Sequence, residues 1–217
     1  MIQVSELHFV TEDGIKVLED VHLHVEQGEL VYLLGPASSG KSLFLGLLGA
    51  HVPPQRGQIL VHGRNVVRLS PPKRLELRRR IGFLPQGFVP MARTVHENVL
   101  FKLRTLGNYR EQAEEKAILA LEATGLIRQQ GVSATELSNL DRIRLGLALA
   151  ICDAPWLLLV DEPLEGLDAS EAAEVCAVID RVHTGHLTVV VATRGPLPAL
   201  TREHRTVSLL DGRVSDE

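Results

Sequence analysis

The sequence of 217 residues has few features of a secreted or disulfide-stabilised protein. Its only two cysteines, Cys152 and Cys176, both lie in apolar helical patterns. Such a pair is typical of buried thiols in a reducing compartment, not of a disulfide framework. The first residues lack the charged start and apolar stretch of a secretory signal, so we expect no such signal.

Long apolar runs are also missing. No stretch reaches the roughly 18 apolar residues that a membrane-spanning helix requires. Residues 145–160 come nearest, and Asp153 and Pro155 interrupt them. We therefore expect a soluble protein, and any attachment to a membrane must come through a partner.

Positive charge is not in excess, because 23 Lys and Arg residues face 27 Asp and Glu residues. The formal net charge of −4 argues against a general nucleic-acid-binding protein, so we expect no nucleic-acid partner. A basic stretch at 71–80 is interpreted as a solvated helix face. His22 and His24 fall on one face of a predicted strand with no apparent third metal ligand, and are interpreted as solvent-facing.

What the sequence does have is an apolar content of 45%, enough for a substantial core. Apolar strand patterns alternate with helical ones along the chain. Strands are predicted at 1–10, 15–25, 30–34, 57–61, 81–85, 156–160, 187–192 and 206–210, and helices at 43–49, 71–80, 94–124 with a break at 106–108, 142–151 and 169–182. This alternation predicts an α/β fold with a parallel sheet covered on both faces.

The most informative stretch follows the predicted strand at 30–34. It reads Gly35, Pro36, Ala37, Ser38, Ser39, Gly40, Lys41, Ser42, which is the G-x-x-x-x-G-K-[ST] spacing of a phosphate-binding loop. Glycines allow backbone N–H groups to surround an anion, and the following helix directs its positive dipole end at it. The spacing predicts that Lys41 reaches the β- and γ-phosphates and that the Ser42 hydroxyl binds Mg²⁺. The alternative is an ordinary turn before a helix.

A second polar pair, Asp161 and Glu162, follows the apolar strand at 156–160. Ligands bind α/β sheets at the carboxyl ends of parallel strands, so this pair and the phosphate loop are expected to converge. The alternative, ordinary polarity at a strand end, is less compatible with a phosphate loop upstream.

At this point the sequence resembles an ABC-type ATPase subunit over nearly its whole length. The order is that of the family: phosphate loop, Gln86 after a strand, a helical region, Leu137-Ser138, the apolar strand with Asp161-Glu162-Pro163, and Gly166-Leu167-Asp168. The stretch from Arg79 to Val99 resembles the branch of FtsE-, LolD- and MacB-type ATPases.

The resemblance implies a P-loop NTPase fold with a mostly parallel core sheet, an antiparallel N-terminal β-subdomain and an inserted helical lobe. A single domain at 1–217 then divides into a nucleotide-binding core, 1–85 and 155–217, and a lobe at about 86–154.

The resemblance also implies roles for individual residues. Asp161 would hold Mg²⁺ through water, and Glu162 would polarise the attacking water. Gln86 would sense Mg²⁺ and the γ-phosphate and link the site to an integral membrane protein docked near the helical lobe. In this family two subunits pair head to tail, with ATP between the phosphate loop of one and the signature helix of the other, and the signature corresponds here to residues 137–141. Asp168 would help to hold the two subunits together.

The chain departs from the family at the signature, where Asn139 and Leu140 replace two glycines. Their side chains lie where backbone N–H groups should approach the other subunit's ATP, so we expect a weakened dimer site. A second departure is Arg194, which replaces the family's switch histidine. Arginine pairs well with phosphate but stays charged, so it does not reproduce neutral imidazole chemistry.

Two smaller departures concern contacts with the nucleotide. The adenine-stacking aromatic corresponds to Thr11 in ungapped register, while Phe9 lies two residues earlier and is equally compatible with a core aromatic. Leu43 replaces a second hydroxyl residue after the lysine, and its backbone N–H remains available.

These observations predict an ATP-binding subunit of an ABC-type membrane complex. It would bind Mg-ATP, form a homo- or heterodimer, and couple slow or partner-dependent hydrolysis to its membrane partner. The alternative is a hydrolysis-deficient nucleotide-binding subunit with a regulatory or scaffold role. A soluble ABC ATPase acting on nucleic acid is disfavoured, since such proteins usually carry two ATPase units.

Overall fold

The structure is a computed structural model that describes residues 1–216. Its strands are β1 (Ile2–Val10), β2 (Lys16–Val25), β3 (Leu30–Leu34), β4 (Arg56–Val61), β5 (Arg64–Asn65), β6 (Ile81–Leu84), β7 (Leu157–Asp161), β8 (Thr188–Thr193), β9 (Arg205–Leu210) and β10 (Arg213–Asp216). Its helices are α1 (Lys41–Leu48), α2 (Pro71–Arg78), α3 (Val95–Thr105), α4 (Arg110–Thr124), α5 (Asn139–Ile151) and α6 (Ala169–Val182). Within this described part, no helix is both long and apolar enough to cross a bilayer.

The N-terminal strands form an antiparallel sheet in the order β2-β1-β4-β5. Its residues alternate between the core and solvent, as expected for a sheet with one wet face. In β2, Val21, Leu23 and Val25 are buried, whereas His22 and His24 are exposed, in agreement with the interpretation from sequence. The two histidines contact neighbouring carboxylates, those of Asp20 and Glu26.

The second sheet has the order β10-β9-β3-β8-β7-β6, and its strands are parallel apart from the edge strand β10. β7 is buried along its whole length because both faces of this sheet are covered. Leu157 and Leu159 pack into the cluster that contains residues of α1, and Leu158 and Val160 into the one that contains residues of α6. The predicted α/β architecture is confirmed, including the antiparallel N-terminal sheet.

The middle of the chain is helical. α3, α4 and α5 share an apolar cluster that includes Val99, Leu103, Leu121 and Leu145. α3 begins at a capping box in which the Thr94 side chain accepts from the Glu97 N–H and the Glu97 side chain accepts from the Thr94 N–H. The chain breaks between α3 and α4, where sequence predicted it.

Helix α5 starts earlier than the sequence predicts. α5 begins at Asn139, three residues before the predicted start at Arg142. The cause is the Ser138 hydroxyl, which accepts a hydrogen bond from the Asp141 N–H at 3.0 Å and so caps the helix. Asn139 and Leu140 therefore lie in the first turn of α5 and not in the loop before it.

Candidate functional site

The phosphate loop connects β3 to α1 through residues 35–40, and its glycines are required by the backbone. Gly40, the residue before α1, has a φ of 98°, and among the described residues no side chain caps this helix. A Cβ on Gly35 would overlap the Leu209 carbonyl oxygen and lie 2.7 Å from Ser39 Oγ. The first N–H groups of α1 are thus directed into the loop without a capping side chain, as an anion site requires.

Lys41 is buried at the first position of α1, with 4% of its side chain exposed. Its ammonium group donates hydrogen bonds to the carbonyl oxygens of Gly35 at 2.7 Å and Pro36 at 2.8 Å. The same nitrogen lies 3.2 Å from Oε1 of Glu162. The lysine is therefore folded against its own loop and paired with a carboxylate that follows β7, two strands away from β3 in the sheet.

Asp161 is the last residue of β7 and is buried. Burial raises the pKa of its carboxyl group, while a hydrogen bond with the Ser42 side chain acts in the opposite direction. Within residues 1–216, the Oδ1 atom has no hydrogen-bond partner. Carboxylate, hydroxyl and amide oxygens are the donors that Mg²⁺ prefers, so the set Asp161, Ser42 and Gln86 fits this ion.

Glu162 follows Asp161 with a left-handed backbone, at a φ of 48°. Its N–H donates to the carbonyl oxygen of Ala192 in β8 at 2.8 Å, which fixes this turn. The side chain is buried, and its Oε1 lies between Lys41 Nζ at 3.2 Å and Arg194 Nε at 3.5 Å. The carboxylate thus faces the phosphate loop between two cationic groups.

Gln86 and Arg194 meet at a residue that the sequence interpretation passed over, Glu165. The Gln86 amide donates to Glu165 Oε2 at 2.7 Å, and Arg194 Nη2 donates to Oε1 at 2.9 Å. The hydrogen bond from Gln86, followed by the charge of Arg194, holds the pKa of the Glu165 carboxyl below its usual range. The signal for Glu165 was available as two opposite charges, at 165 and 194, just beyond the ends of neighbouring parallel strands.

A cavity of about 180 Å³ brings the predicted site residues together. It is lined by residues 37–43 of the loop and α1, including Leu43, and by Gln86, Glu162 and Arg194. A second cavity of about 220 Å³ runs from Asp161, Glu162 and Glu165 to Asn139 and Arg142 of α5. The phosphate loop and the start of α5 are therefore joined on the same surface of one subunit through these carboxylates.

The start of α5 is built differently from the start of α1. Ser138 is exposed and its hydroxyl is occupied as the cap of α5. The Asn139 amide donates to the carbonyl oxygen of Gly166 at 3.4 Å, and Leu140 is half-buried against the core. The side chains that replace the family's glycines are thus packed onto their own subunit.

The remaining predicted contacts lie outside the phosphate-loop cavity. Asp168 is exposed and caps α6, where its side chain accepts from the Glu171 N–H at 2.9 Å. Thr11 lies in the β1–β2 turn, and its hydroxyl accepts from the Ile15 N–H at 3.1 Å. Phe9 is half-buried against the core. Neither Phe9 nor Thr11 is among the residues that line the cavity.

Comparison with known proteins gives concordant matches. Residues 18–165 match the family model described as ABC transporter. The cell division ATP-binding protein FtsE of Streptococcus pneumoniae serotype 2 (strain D39) is 29% identical over 215 residues, covering 99% of this chain and 94% of that protein. The phosphate import ATP-binding protein PstB 2 of Natronomonas pharaonis is 36% identical over 211 residues, covering 93% and 74%.

The fold gives the same result. A bacterial ABC transporter cassette solved as a dimer superposes with a TM-score of 0.83 at 26% identity, over 99% of this chain and 96% of that one. The likeness covers the antiparallel sheet, the parallel core and the helices between them. Because the family model, the relatives and the solved cassette agree over most of the length, the chain belongs to the ABC transporter ATP-binding family.

Proposed function

We propose that this chain binds Mg-ATP at residues 35–43 and couples binding and slow, partner-dependent hydrolysis to an integral membrane protein. Members of this family bind and hydrolyse ATP and work with membrane partners. The observation that carries the proposal is the convergence of Lys41, Ser42, Asp161 and Glu162 at the carboxyl ends of β3 and β7. We therefore favour an ATPase over a subunit that only binds nucleotide.

In this proposal Lys41 leaves the carbonyl oxygens of its own loop and binds the β- and γ-phosphates. The first N–H groups of α1 bind the remaining phosphate oxygens. Ser42, Asp161 and Gln86 would hold Mg²⁺, and this ion, when bound, neutralises charge on the β- and γ-phosphate oxygens. The orphaned Oδ1 of Asp161 supports this assignment, since a buried carboxylate oxygen without a partner is costly unless a ligand completes it.

Glu162 is proposed to orient a water molecule for in-line attack on the γ-phosphorus. The bond to the water oxygen forms as the bond to the ADP oxygen breaks, and the water's proton passes by way of Glu162 to the departing phosphate. Arg194 is proposed to contact the γ-phosphate in place of a neutral imidazole. Its fixed charge and its pairing with Glu162 support a low turnover rate.

We further propose that two subunits pair head to tail around ATP, as a homodimer or with a second ATPase subunit. Ser138 and Asp168 would face the partner subunit. Asn139 and Leu140 would weaken the closed dimer, because their side chains cover backbone N–H groups that should reach the other subunit's ATP. A weak dimer is a second reason to expect slow hydrolysis.

The membrane partner is proposed to dock on the helical lobe, at about residues 86–154, apart from the nucleotide-binding core formed by 1–85 and 155–217. Exposed apolar side chains support this site. Val89 is 80% exposed just after Gln86, and Met91 and Phe101 are exposed nearby in the chain. A contiguous patch of exposed apolar side chains is a common mark of protein contacts. Docking here would place the chain peripherally on the cytoplasmic face of the membrane, with Gln86 linking the partner to the site.

The test is ATP turnover and ATP binding, measured with and without the membrane partner. Glu162→Gln should abolish hydrolysis while Mg-ATP binding persists, because it removes the carboxylate but keeps its shape. Lys41→Ala should lose binding as well. A wild-type rate no greater than that of Lys41→Ala under every condition would overturn the ATPase and favour the subunit that only binds nucleotide.

A further inference from the structure

Glu165 accepts hydrogen bonds from two residues of the proposed site, Gln86 and Arg194. One carboxylate oxygen accepts from Gln86 at 2.7 Å and the other from Arg194 at 2.9 Å. The side chains of Glu165 and Arg194 are 44% and 45% exposed, so the pair lies at the open side of the site. Neither partner is a structural necessity for the fold, because both follow strand ends and neither is buried.

These contacts extend a row of alternating charges. Lys41 pairs with Glu162 at 3.2 Å, Glu162 approaches Arg194 at 3.5 Å, and Arg194 pairs with Glu165 at 2.9 Å. Every cationic group that faces the phosphate-loop cavity is thereby engaged by a carboxylate. A triphosphate entering the cavity must take these cations away from their present partners.

The balance of charge makes this competition unfavourable to a nucleotide. The carboxylates of Asp161, Glu162 and Glu165 outnumber the cations of Lys41 and Arg194. Asp161 and Glu162 have proposed roles with Mg²⁺ and water, so their charge belongs to the reaction. Glu165 has no such role, and its charge opposes a polyanion at the same place.

We propose that Glu165 is a positioning residue that holds Gln86 and Arg194 in the nucleotide-free state and releases them to the γ-phosphate. This inference rests on the proposed function, since it assumes that the triphosphate occupies the phosphate loop. Arg194 lies next to Glu162, the residue proposed to orient the attacking water, and therefore next to the γ-phosphate. ADP lacks that group, so it binds without displacing Arg194 from Glu165. Glu165 consequently lowers the affinity for ATP selectively.

The experiment compares equilibrium dissociation constants for a non-hydrolysable ATP analogue and for ADP, both with Mg²⁺. Glu165→Gln should bind the ATP analogue about threefold to fivefold more tightly, in keeping with release from an exposed ion pair. Its affinity for ADP should stay within about twofold of wild type, the size expected for a surface substitution without a specific partner. Glu165→Asp, which keeps the charge, should restore the wild-type ratio of the two constants.

Two further variants make the result specific. Glu76 lies on α2, and its exposed carboxylate pairs with Arg64 at 3.0 Å. Glu76→Gln removes this carboxylate and should change neither dissociation constant. In an Arg194→Gln background, adding Glu165→Gln should have a smaller effect on the ATP analogue than in the wild type, because the main partner is gone. Equal tightening for the ATP analogue and ADP, or no tightening at all, would overturn the proposal.

The result is separable from the proposed function. If wild type binds the ATP analogue and Lys41→Ala does not, the nucleotide site stands whatever Glu165→Gln does. Unchanged thermal unfolding of Glu165→Gln is expected, and it excludes a general loss of structure as the cause of a changed ATP-to-ADP ratio. A ratio that moves only together with the unfolding temperature would count against a positioning role.

Discussion

The starts of α1 and α5 are the two helix ends that the proposed head-to-tail dimer would bring to the same ATP, and they are built in opposite ways. α1 begins at Gly40, with no capping side chain among the described residues. α5 begins at Ser138, whose hydroxyl is bonded to the Asp141 N–H, and continues with the side chains of Asn139 and Leu140. A capped helix is stable by itself, whereas an uncapped one needs a ligand to satisfy its first N–H groups.

The proposed dimer site has two halves, the α1 half around the phosphate loop and the α5 half around the start of α5. They differ in whether their polar groups are already paired without a ligand. The α1 half carries unsatisfied or strained groups, such as the orphaned Oδ1 of Asp161 and the left-handed Glu162. In the α5 half, the side chains of Ser138 and Asn139 are paired within the subunit. We therefore expect substitutions in the α1 half to change nucleotide binding, and those in the α5 half to change stability or pairing of subunits.

Asp161→Asn should have the largest effect. Mg-ATP affinity should fall about 10- to 100-fold, the usual range for loss of an outer contact to a bound metal. Without nucleotide the variant should be more stable than wild type, since burial raises the pKa of this carboxyl. The folded state holds that proton more tightly than the unfolded chain, so wild-type stability falls as pH rises from the ordinary carboxyl range through the raised pKa.

This gain should be measured as a Tm increase of about 2–4 °C near neutral pH that shrinks as pH is lowered. The control is Asp168→Asn at the start of α6, where the exposed side chain caps the helix, because Asn caps a helix as well as Asp does. It should leave both Mg-ATP affinity and Tm near wild type. A loss of stability in Asp161→Asn would contradict the account of a destabilising buried charge.

Gly40→Ala tests the backbone of the uncapped end. The alanine would have to adopt the φ of 98° that Gly40 has, and its Cβ would lie 2.9 Å from Val17 Cγ1. The free energy of unfolding should therefore fall by about 2 kcal/mol or more. ATP affinity should fall as well. Gly107→Ala is matched, with a φ of 94° but nothing within 4 Å of the new Cβ. Gly107→Ala should lower the free energy of unfolding, measured with urea, without changing the affinity for ATP, measured by equilibrium binding.

Asn139→Gly tests the capped end. In a Glu162→Gln background, where ATP persists, removal of this side chain should raise the association constant of the ATP-bound dimer about tenfold, or about 1.4 kcal/mol. Sedimentation velocity with and without ATP measures this constant. Arg110→Gly, at the first position of α4, is the control and should not change it. Both variants should lose about 0.5–1 kcal/mol of stability because glycine is a poor helix residue.

Ser138→Ala should have the smallest effect, confined to stability. Loss of the cap should cost about 1 kcal/mol, similar to Thr94→Ala at the start of α3. Thermal unfolding measures both variants. ATP affinity of the single subunit should not change, and a clear decrease would contradict the assignment of Ser138 to the other half of the site.

Much of this architecture was predictable because its signals are local. The strand at 30–34 and the helix at 169–182 were predicted with the bounds that the structure gives. The break at 106–108 was predicted from Gly107 and separates α3 from α4. The motif order also predicted which residues gather at the phosphate-loop cavity. Their chemical roles remain predictions until the variants are measured.

What sequence did not predict depends on pairing between distant or very short segments. β5 and β10 are short strands that follow Gly63 and Gly212, and the sequence did not predict them. Too few residues leave no visible alternation. The contact of Glu165 with Gln86 and Arg194 joins three segments far apart in sequence, and α5 started early because a single serine hydroxyl capped it.

The left-handed backbone of Glu162 has a consequence for how this protein can change. A glutamate at a φ of 48° is strained, and its carboxylate is also buried. Glycine at 162 would remove the backbone strain but would also leave the buried Lys41 ammonium without its carboxylate, so the ion pair with Lys41 opposes the loss of this glutamate. Such a variant would keep the fold and the phosphate loop while losing the group proposed for hydrolysis. The residue proposed for hydrolysis thus lies at a strained position that the ion pair with Lys41 helps to maintain.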